Sequence, residues 1–227
     1  MKMDHINLSE DNELSGDKRP YVSQAVIKRL PRYFRYLREL IAEGTMRISS
    51  SELSARMHVT ASQIRQDLNC FGGFGQQGYG YLVDQLYDEI GHILGMDKLT
   101  KTILLGVGNL GTAVGNHIEF NTRGFNLIGL FDDNPALVGD TRADMRIRST
   151  TELEEFCLKN KPEMAVLCIP KEAAPRLVET LVKCGVKGFW NFSHYDIAYD
   201  YPEVIVENVH MGDSLMTLSY HMVREEE

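Results

Sequence analysis

Apolar residues recur along this chain with two kinds of spacing, and the change between them divides it. The stretch SQAVIKRLPRYFRYLRELIAEG places Phe34, Leu37 and Ile41 at helical spacing, with Leu40 flanking, and Gly44 suits the position just past a helix end. Pro31 must start, kink or split that helix. Two capping boxes follow, Ser49 with Glu52 and Thr60 with Gln63, and Val59 and Ile64 occupy the staple positions around Thr60. They bracket a short helix SELSARM, a tight link His58-Val59, and a second helix ASQIRQDLNCF whose Ile64 and Leu68 share a face. A short helix, a tight turn and a capped second helix predict a helix-turn-helix. The glycine-rich FGGFGQQGYGYLV then predicts a β-hairpin turning at Gln76-Gln77-Gly78, between Phe74 and Tyr81, in the place of a wing. A helix around Val83 to Leu94 ends this half.

Beyond Lys98 the pattern becomes short apolar runs alternating with amphipathic stretches: strand KTILL, a helix opening at TAVGNHI, strand FNLIGLF, helix TELEEFCLKN, strand MAVLCI stopped by Pro170, helix AAPRLVETLVKC, and strands KGFWNF and EVIVEN. This predicts a doubly wound α/β fold with a parallel sheet. The last stretch, GDSLMTLSYHMVREEE, is a helix whose Leu215, Leu218 and Met222 form an apolar stripe in need of a partner surface. The expected domains are a disordered lead over 1–20, a winged helix over 21–97, a Rossmann-like domain over 98–210 and a terminal helix over 211–227.

The junction GVGNLG carries the first chemistry. Gly106 allows a tight turn, Gly108 lets backbone approach a pyrophosphate, and Gly111 lets helix and strand pack closely. The helix N-terminus behind it offers free N–H groups to phosphates. Asp132, at the end of the next strand, stands where a carboxylate accepts hydrogen bonds from an adenosine ribose, and it disfavours a 2′-phosphate. Asp133 reads equally as the start of an Asx turn. The hairpin glycines lack the Lys-Ser or Lys-Thr ending of a P-loop.

Charge sharpens the division of labour. The net charge is −8, yet the segment from Lys18 to Arg65 holds ten Lys and Arg against three acids, so a basic front sits on an acidic body. No apolar run approaches the ~20 residues of a membrane span, and the polar N-terminus resembles no signal peptide. The four scattered cysteines show no zinc-ligand spacing and suit a reduced cytoplasmic protein without a metal. Cys168 reads as a buried inert thiol before a redox one.

Taken together, RLPRYFRYLREL, SSSELSARM, QIRQDLNCFGGFGQQGYGY, GVGNLGTA, the Asp132 strand end and GDSLMTLSYHM resemble the Rex family of bacterial redox-sensing transcriptional repressors, from about Val22 to Val223. The resemblance implies a homodimer of winged-helix and Rossmann-like domains with the last helix exchanged between subunits. It also implies repression on operator DNA of twofold symmetry, and release when NADH rises relative to NAD⁺. The cofactor-binding residues would be Gly106, Val107, Gly108, Asn109, Leu110, Gly111, Asp132, Pro170 and Asn191, with His117, Phe120 and His210 on the nicotinamide side. Three positions depart from the family pattern. His117 stands where relatives commonly carry Tyr, His210 where they carry Asp, and NFSHYDI lacks the proline that usually follows the Asn-Phe pair. A replacement contact between His117 and His210, sensitive to pH, is one expectation; a divergent paralogue sensing ATP or ADP is another.

For DNA, Ser62, Gln63, Arg65 and Gln66 are candidates for the major groove, with Arg29, Tyr33, Arg47 and Gln77 near phosphates. The competing class is a small NAD-dependent oxidoreductase, for which His117, His194 and Tyr195 are the available proton-transfer groups. No paired acid and base stand at a persuasive spacing, so the expectation is a regulator and not an enzyme.

Overall fold

Ser23 begins the first helix, α1 (Gln24–Ala42), its side chain accepting the backbone N–H of Val26. The computed structural model describes residues 22–72, 75–76, 79–117, 120 and 124–225. The lead expected over 1–20 and the turn residues Gln77 and Gly78 lie outside the described residues. The chain divides into two compact units, one ending at Leu94 and one starting at Gly95.

The first unit continues with β1 (Arg47–Ile48), α2 (Ser50–Met57), α3 (Ala61–Asn69), β2 (Gly75–Gln76), β3 (Gly80–Leu82) and α4 (Val83–Ile93). The buried stripe of α1 is Val26, Leu30, Tyr33, Leu37 and Leu40, rotated from the expected one. Ile41 is exposed, and Phe34 is half-buried, stacking on Tyr87 of α4 with centroids 4.2 Å apart. Pro31 lies inside α1 and neither starts nor splits it. The core packing of Leu30 and Tyr33 on either side of it offsets the missing backbone donor. Gly44, with φ 75°, is the left-handed residue after the helix.

The Ser49–Glu52 capping box is complete, with Glu52 N–H donating to the serine and Ser49 N–H to the glutamate. The second box is only half formed. Thr60 accepts Gln63 N–H at 3.1 Å, but the Gln63 side chain turns instead to Asp67 at 2.8 Å. The bond from the Gln63 amide N–H to an ionised carboxylate is charge-assisted, and it draws the side chain away from the Thr60 N–H that its oxygen would otherwise accept. The wing is a three-stranded antiparallel sheet in the order β1-β3-β2, with Gly75 opposite Tyr81 and Gln76 opposite Gly80.

The second unit carries a seven-stranded sheet in the order β10-β9-β8-β4-β5-β7-β6. Its elements are β4 (Thr100–Leu105), α5 (Asn109–His117), β5 (Phe125–Asp132), β6 (Thr141–Arg142), β7 (Met145–Ser149), α6 (Leu153–Asn160), β8 (Met164–Leu167), α7 (Ala174–Lys183), β9 (Gly188–Asn191), α8 (Ile197–Asp200), β10 (Ile205–Asn208) and α9 (Met211–Glu225). All pairings are parallel except β6 with β7. The chain moves outward from β4 to β5 and β7, then returns to β8 on the other side of β4. That reversal makes a topological switch point at the C-terminal edge of β4. Ile103, Leu105, Phe131, Leu167 and Phe189 pack one face of the sheet against Leu153 and Cys157 of α6 and Leu177 and Leu181 of α7. Leu104, Leu130, Ile147 and Val166 pack the other face against Val114 of α5. On this second face an apolar cleft of about 430 Å³, lined by Phe120, Phe125, Met164, Trp190 and Ile205, stands half open. The apolar residues of α9, Leu215, Leu218 and Met222 among them, are all exposed.

Candidate nucleotide cleft and nucleic-acid interface

Strand β4 delivers the chain to the glycine turn at the switch point, and the three glycines meet different surroundings. Gly106 has φ +87°, and a Cβ there would lie 2.3 Å from the Cys168 carbonyl oxygen. A Cβ on Gly111 would lie 1.7 Å from the Gly106 carbonyl oxygen. Neither place admits a side chain. A Cβ on Gly108 would meet nothing within 4 Å.

Opposite the turn, Asp132 ends β5 with one carboxylate oxygen accepting Val107 N–H at 2.6 Å and the other accepting Asn134 N–H at 2.8 Å. Two motifs separated in sequence thus become one rim. It borders an open cleft of about 670 Å³, lined by Val107, Gly108, Asn109, Thr112, Ala113, Asn116, Asn134, Leu137 and Arg142. Asp133 takes a structural part, accepting from the Thr150 hydroxyl and pairing with Arg176 at 3.5 Å.

The other expected cofactor residues separate. Leu110 is half-buried against the α5 face of the sheet. Pro170 is exposed just past β8. Asn191 is fully buried, and its side chain is occupied internally. It donates to Tyr195 O at 2.9 Å and Asn208 Oδ1 at 2.8 Å, and accepts from Ser193 N and Oγ at 3.0 and 2.6 Å. Phe120 lines the apolar cleft on the sheet face. Of His117 only the backbone is described, so its expected contact with His210 lies outside the described residues. His210 instead meets His194, Nδ1 to Nδ1 at 2.7 Å.

Sequence reasoning missed Thr112, Asn116, Asn134, Leu137 and Arg142 at the cleft. Arg142 had no signal, because it sits on the two-residue strand β6 beyond the expected strands. Burial pushes the Cys168 thiol up to about 12, so at neutral pH it stays protonated and unreactive.

In the winged helix, α3 buries Ile64, Leu68 and, unexpectedly, Asp67. Asp67 accepts from Arg29 in a bidentate pair at 2.6 and 2.7 Å, from the Tyr33 hydroxyl at 2.8 Å and from Gln63. Burial alone would raise its pKa, but the hydrogen bonds from Arg29, Tyr33 and Gln63 outweigh it and hold the carboxyl below the usual range. Burial, with the carboxylate beside it, also pushes the Tyr33 phenol well above its ordinary value. Tyr33 is therefore a core residue and not a free phosphate ligand; it and Arg29 lock α1 to Asp67 of α3, and Gln63 is engaged with Asp67 within α3. Ser62, Arg65 and Gln66 are exposed on α3; Arg65 donates to Ser50 Oγ at 2.8 Å. Arg47, exposed on β1, donates to Tyr79 O at 3.2 Å beside the wing. Gln77 lies outside the described residues.

Two family profiles match the chain, one described as "Putative DNA-binding protein N-terminus" over residues 21–69 and one as "CoA binding domain" over residues 97–195. The redox-sensing transcriptional repressor Rex of Thermoanaerobacter sp. (strain X514) is 52% identical over 92% of this chain and 93% of its own length. The chain belongs to the Rex family of redox-sensing transcriptional repressors. Rex of Clostridium perfringens (strain SM101 / Type A) is 49% identical over 90% of this chain and 96% of its own. Among solved structures, the Rex-family repressor RSP in complex with β-NAD⁺ and operator DNA is 51% identical, with a TM-score of 0.83 over 91% of this chain and 95% of that one. RSP in complex with β-NADH is 49% identical with a TM-score of 0.83, covering 91% and 97%. Rex proteins are repressors and not enzymes, which overturns the oxidoreductase alternative.

Proposed function

We propose that the chain represses transcription as a homodimer, gripping operator DNA of twofold symmetry with its two winged helices and letting go as NADH replaces NAD⁺. The observation that carries this reading is Asp132 held against the glycine turn at the rim of the open cleft. A ribose fits the carboxylate, and a pyrophosphate fits the unobstructed approach at Gly108 and the α5 N-terminus. Gly106 and Gly111 build the turn, while Val107, Asn109 and Leu110 supply its backbone. Pro170 borders the nicotinamide half from the end of β8. His117 and His210 replace the family's Tyr and Asp there, which keeps ATP or ADP as the competing effector.

On the DNA side, Ser62, Arg65 and Gln66 present the groove-reading face of α3, with Arg47 near phosphates; Gln77, outside the described residues, is kept as a phosphate candidate from its place in the sequence. The domains follow as 21–97 for DNA, 98–210 for nucleotide and 211–227 for exchange between subunits, after a lead over 1–20. Among the described residues no helix is long and apolar enough to cross a membrane. A DNA-bound repressor of this kind acts in the cytoplasm. Nucleotide acts through its differential affinity for two arrangements of the dimer, and no bond need be broken.

The test is calorimetric titration with NADH, NAD⁺, ATP and ADP, followed by operator binding in the presence of each. NADH is expected to bind and release the operator, and NAD⁺ to bind and leave it held. If NADH neither binds nor releases DNA while ATP or ADP does, the effector assignment fails and the repressor assignment stands. In the same gel-shift assay Arg65→Ala should weaken operator binding by about tenfold, the lower end of a lost base contact.

A further inference from the structure

The edge strand β10 and its neighbour β9 end side by side, Asn191 opposite Asn208, and each is followed within three residues by a histidine. His194 and His210 stand with Nδ1 atoms 2.7 Å apart and rings stacked at 4.8 Å, 22° from parallel, and both are exposed. We propose that these two imidazoles form a chelating site for a divalent transition metal, with water completing the coordination shell.

The framework beneath the pair is built. Buried Asn191 holds Ser193 and Tyr195, the neighbours of His194, and also binds Asn208. Its backbone carbonyl accepts Val209 N–H at 2.9 Å, one residue before His210. His194 itself sits in the left-handed region at φ 61°, a conformation uncommon for histidine, which aims its ring back at its partner. One buried amide therefore fixes both ligand-bearing segments, the kind of support that metal ligands require.

The chemistry fits a borderline-soft ion. Imidazole nitrogen suits Zn²⁺, Ni²⁺ and Cu²⁺, whereas Mg²⁺ and Ca²⁺ take oxygen. Two nitrogens bound at about 2.0–2.1 Å in a tetrahedral shell lie about 3.3 Å apart, a separation small ring rotations supply. Between neutral rings the 2.7 Å contact holds one proton. A metal takes both Nδ1 lone pairs and that proton moves through water to Nε2, so no charge is lost from either ring. Among the described residues no group of three or more ligating side chains exists, so the site is a two-histidine chelate open to solvent. His210 immediately precedes α9, and an ion held here fastens the root of that helix to the sheet edge.

The experiment uses the full chain without an affinity tag, titrated calorimetrically with ZnCl₂ and NiCl₂. One ion per chain is expected, and His194→Asn or His210→Asn should each weaken binding at least tenfold; asparagine tolerates the left-handed backbone at residue 194. Circular dichroism checks that both variants keep the fold, and His58→Asn and His221→Asn serve as surface controls. In the Cu²⁺-loaded protein, electron paramagnetic resonance should show hyperfine coupling to two imidazole nitrogens. Binding that survives both substitutions, binding lost equally in the controls, or no binding above that of the double variant each overturns the site.

Discussion

At the scale of single residues, the glycine turn separates what the fold needs from what the ligand needs. Gly106 and Gly111 are excluded from carrying side chains by carbonyl oxygens 2.3 and 1.7 Å from a Cβ, while Gly108 faces open space. A valine at 108 should therefore be accepted by the protein and refused by the nucleotide. Gly108→Val is expected to shift unfolding free energy by no more than about 0.5 kcal/mol, as surface substitutions do. It should weaken NADH binding at least a hundredfold in calorimetry. Wild-type affinity in a folded Gly108→Val protein means that the nucleotide lies elsewhere. The roles of Gly106 and Gly111 were legible from spacing alone, because a strand running into GxGxxG leaves few geometries. Arg142 and Asp67 were not. A charged residue on a short strand or a helix reads as solvated surface until tertiary packing decides otherwise.

At the scale of elements, Asp67 decides how α3 is held. Its carboxylate is fully buried and receives Arg29, Tyr33 and Gln63, so one side chain fastens α3 to α1. Replacing it with Asn keeps the shape but leaves Arg29 without its counter-charge. Arg29 is partly exposed, which softens the penalty; Asp67→Asn should cost about 2–4 kcal/mol near pH 7. The pH dependence follows from the direction of the shift. A carboxyl held below its unfolded value of about 3.9 contributes stability above that pH and loses it as pH falls through the lower folded value. Urea unfolding of wild type and Asp67→Asn should therefore differ widely at pH 7 and converge below about pH 4. An unchanged difference across that range removes the charge from the explanation. The α3 face with Ile64 and Leu68, the Ser49–Glu52 capping box and the strands β4, β5, β8, β9 and β10 were legible because their local signals are strong. Strand β7 escaped because MRIRS is only five residues long and Ile147 is its one fully buried side chain. The rotated stripe of α1 escaped because Tyr33, read as a polar contact, belongs to the core.

At the scale of the whole molecule, the second unit exposes two apolar surfaces among the described residues. Leu215, Leu218 and Met222 are 67%, 55% and 60% exposed on one side of α9. The sheet face bearing Trp190 and Ile205 keeps a half-open apolar cleft. Exposed stripes of this size mark association sites, and burying each such side chain is worth about 1.5–3 kcal/mol. A charge placed in the stripe should therefore remove most of the association energy while leaving each subunit folded, because Leu215, Leu218 and Met222 are all exposed among the described residues. On the proposed homodimer, Leu215→Asp combined with Leu218→Asp is expected to sediment as a monomer where the wild type sediments as a dimer. Operator binding should fall with it. A dimer makes engagement of the second half-site intramolecular, at millimolar effective concentration, and a monomer must bind each half-site separately. Loss of dimer with nucleotide binding retained places association and ligand recognition on different surfaces of one unit; a variant that remains dimeric means that α9 is not the joint.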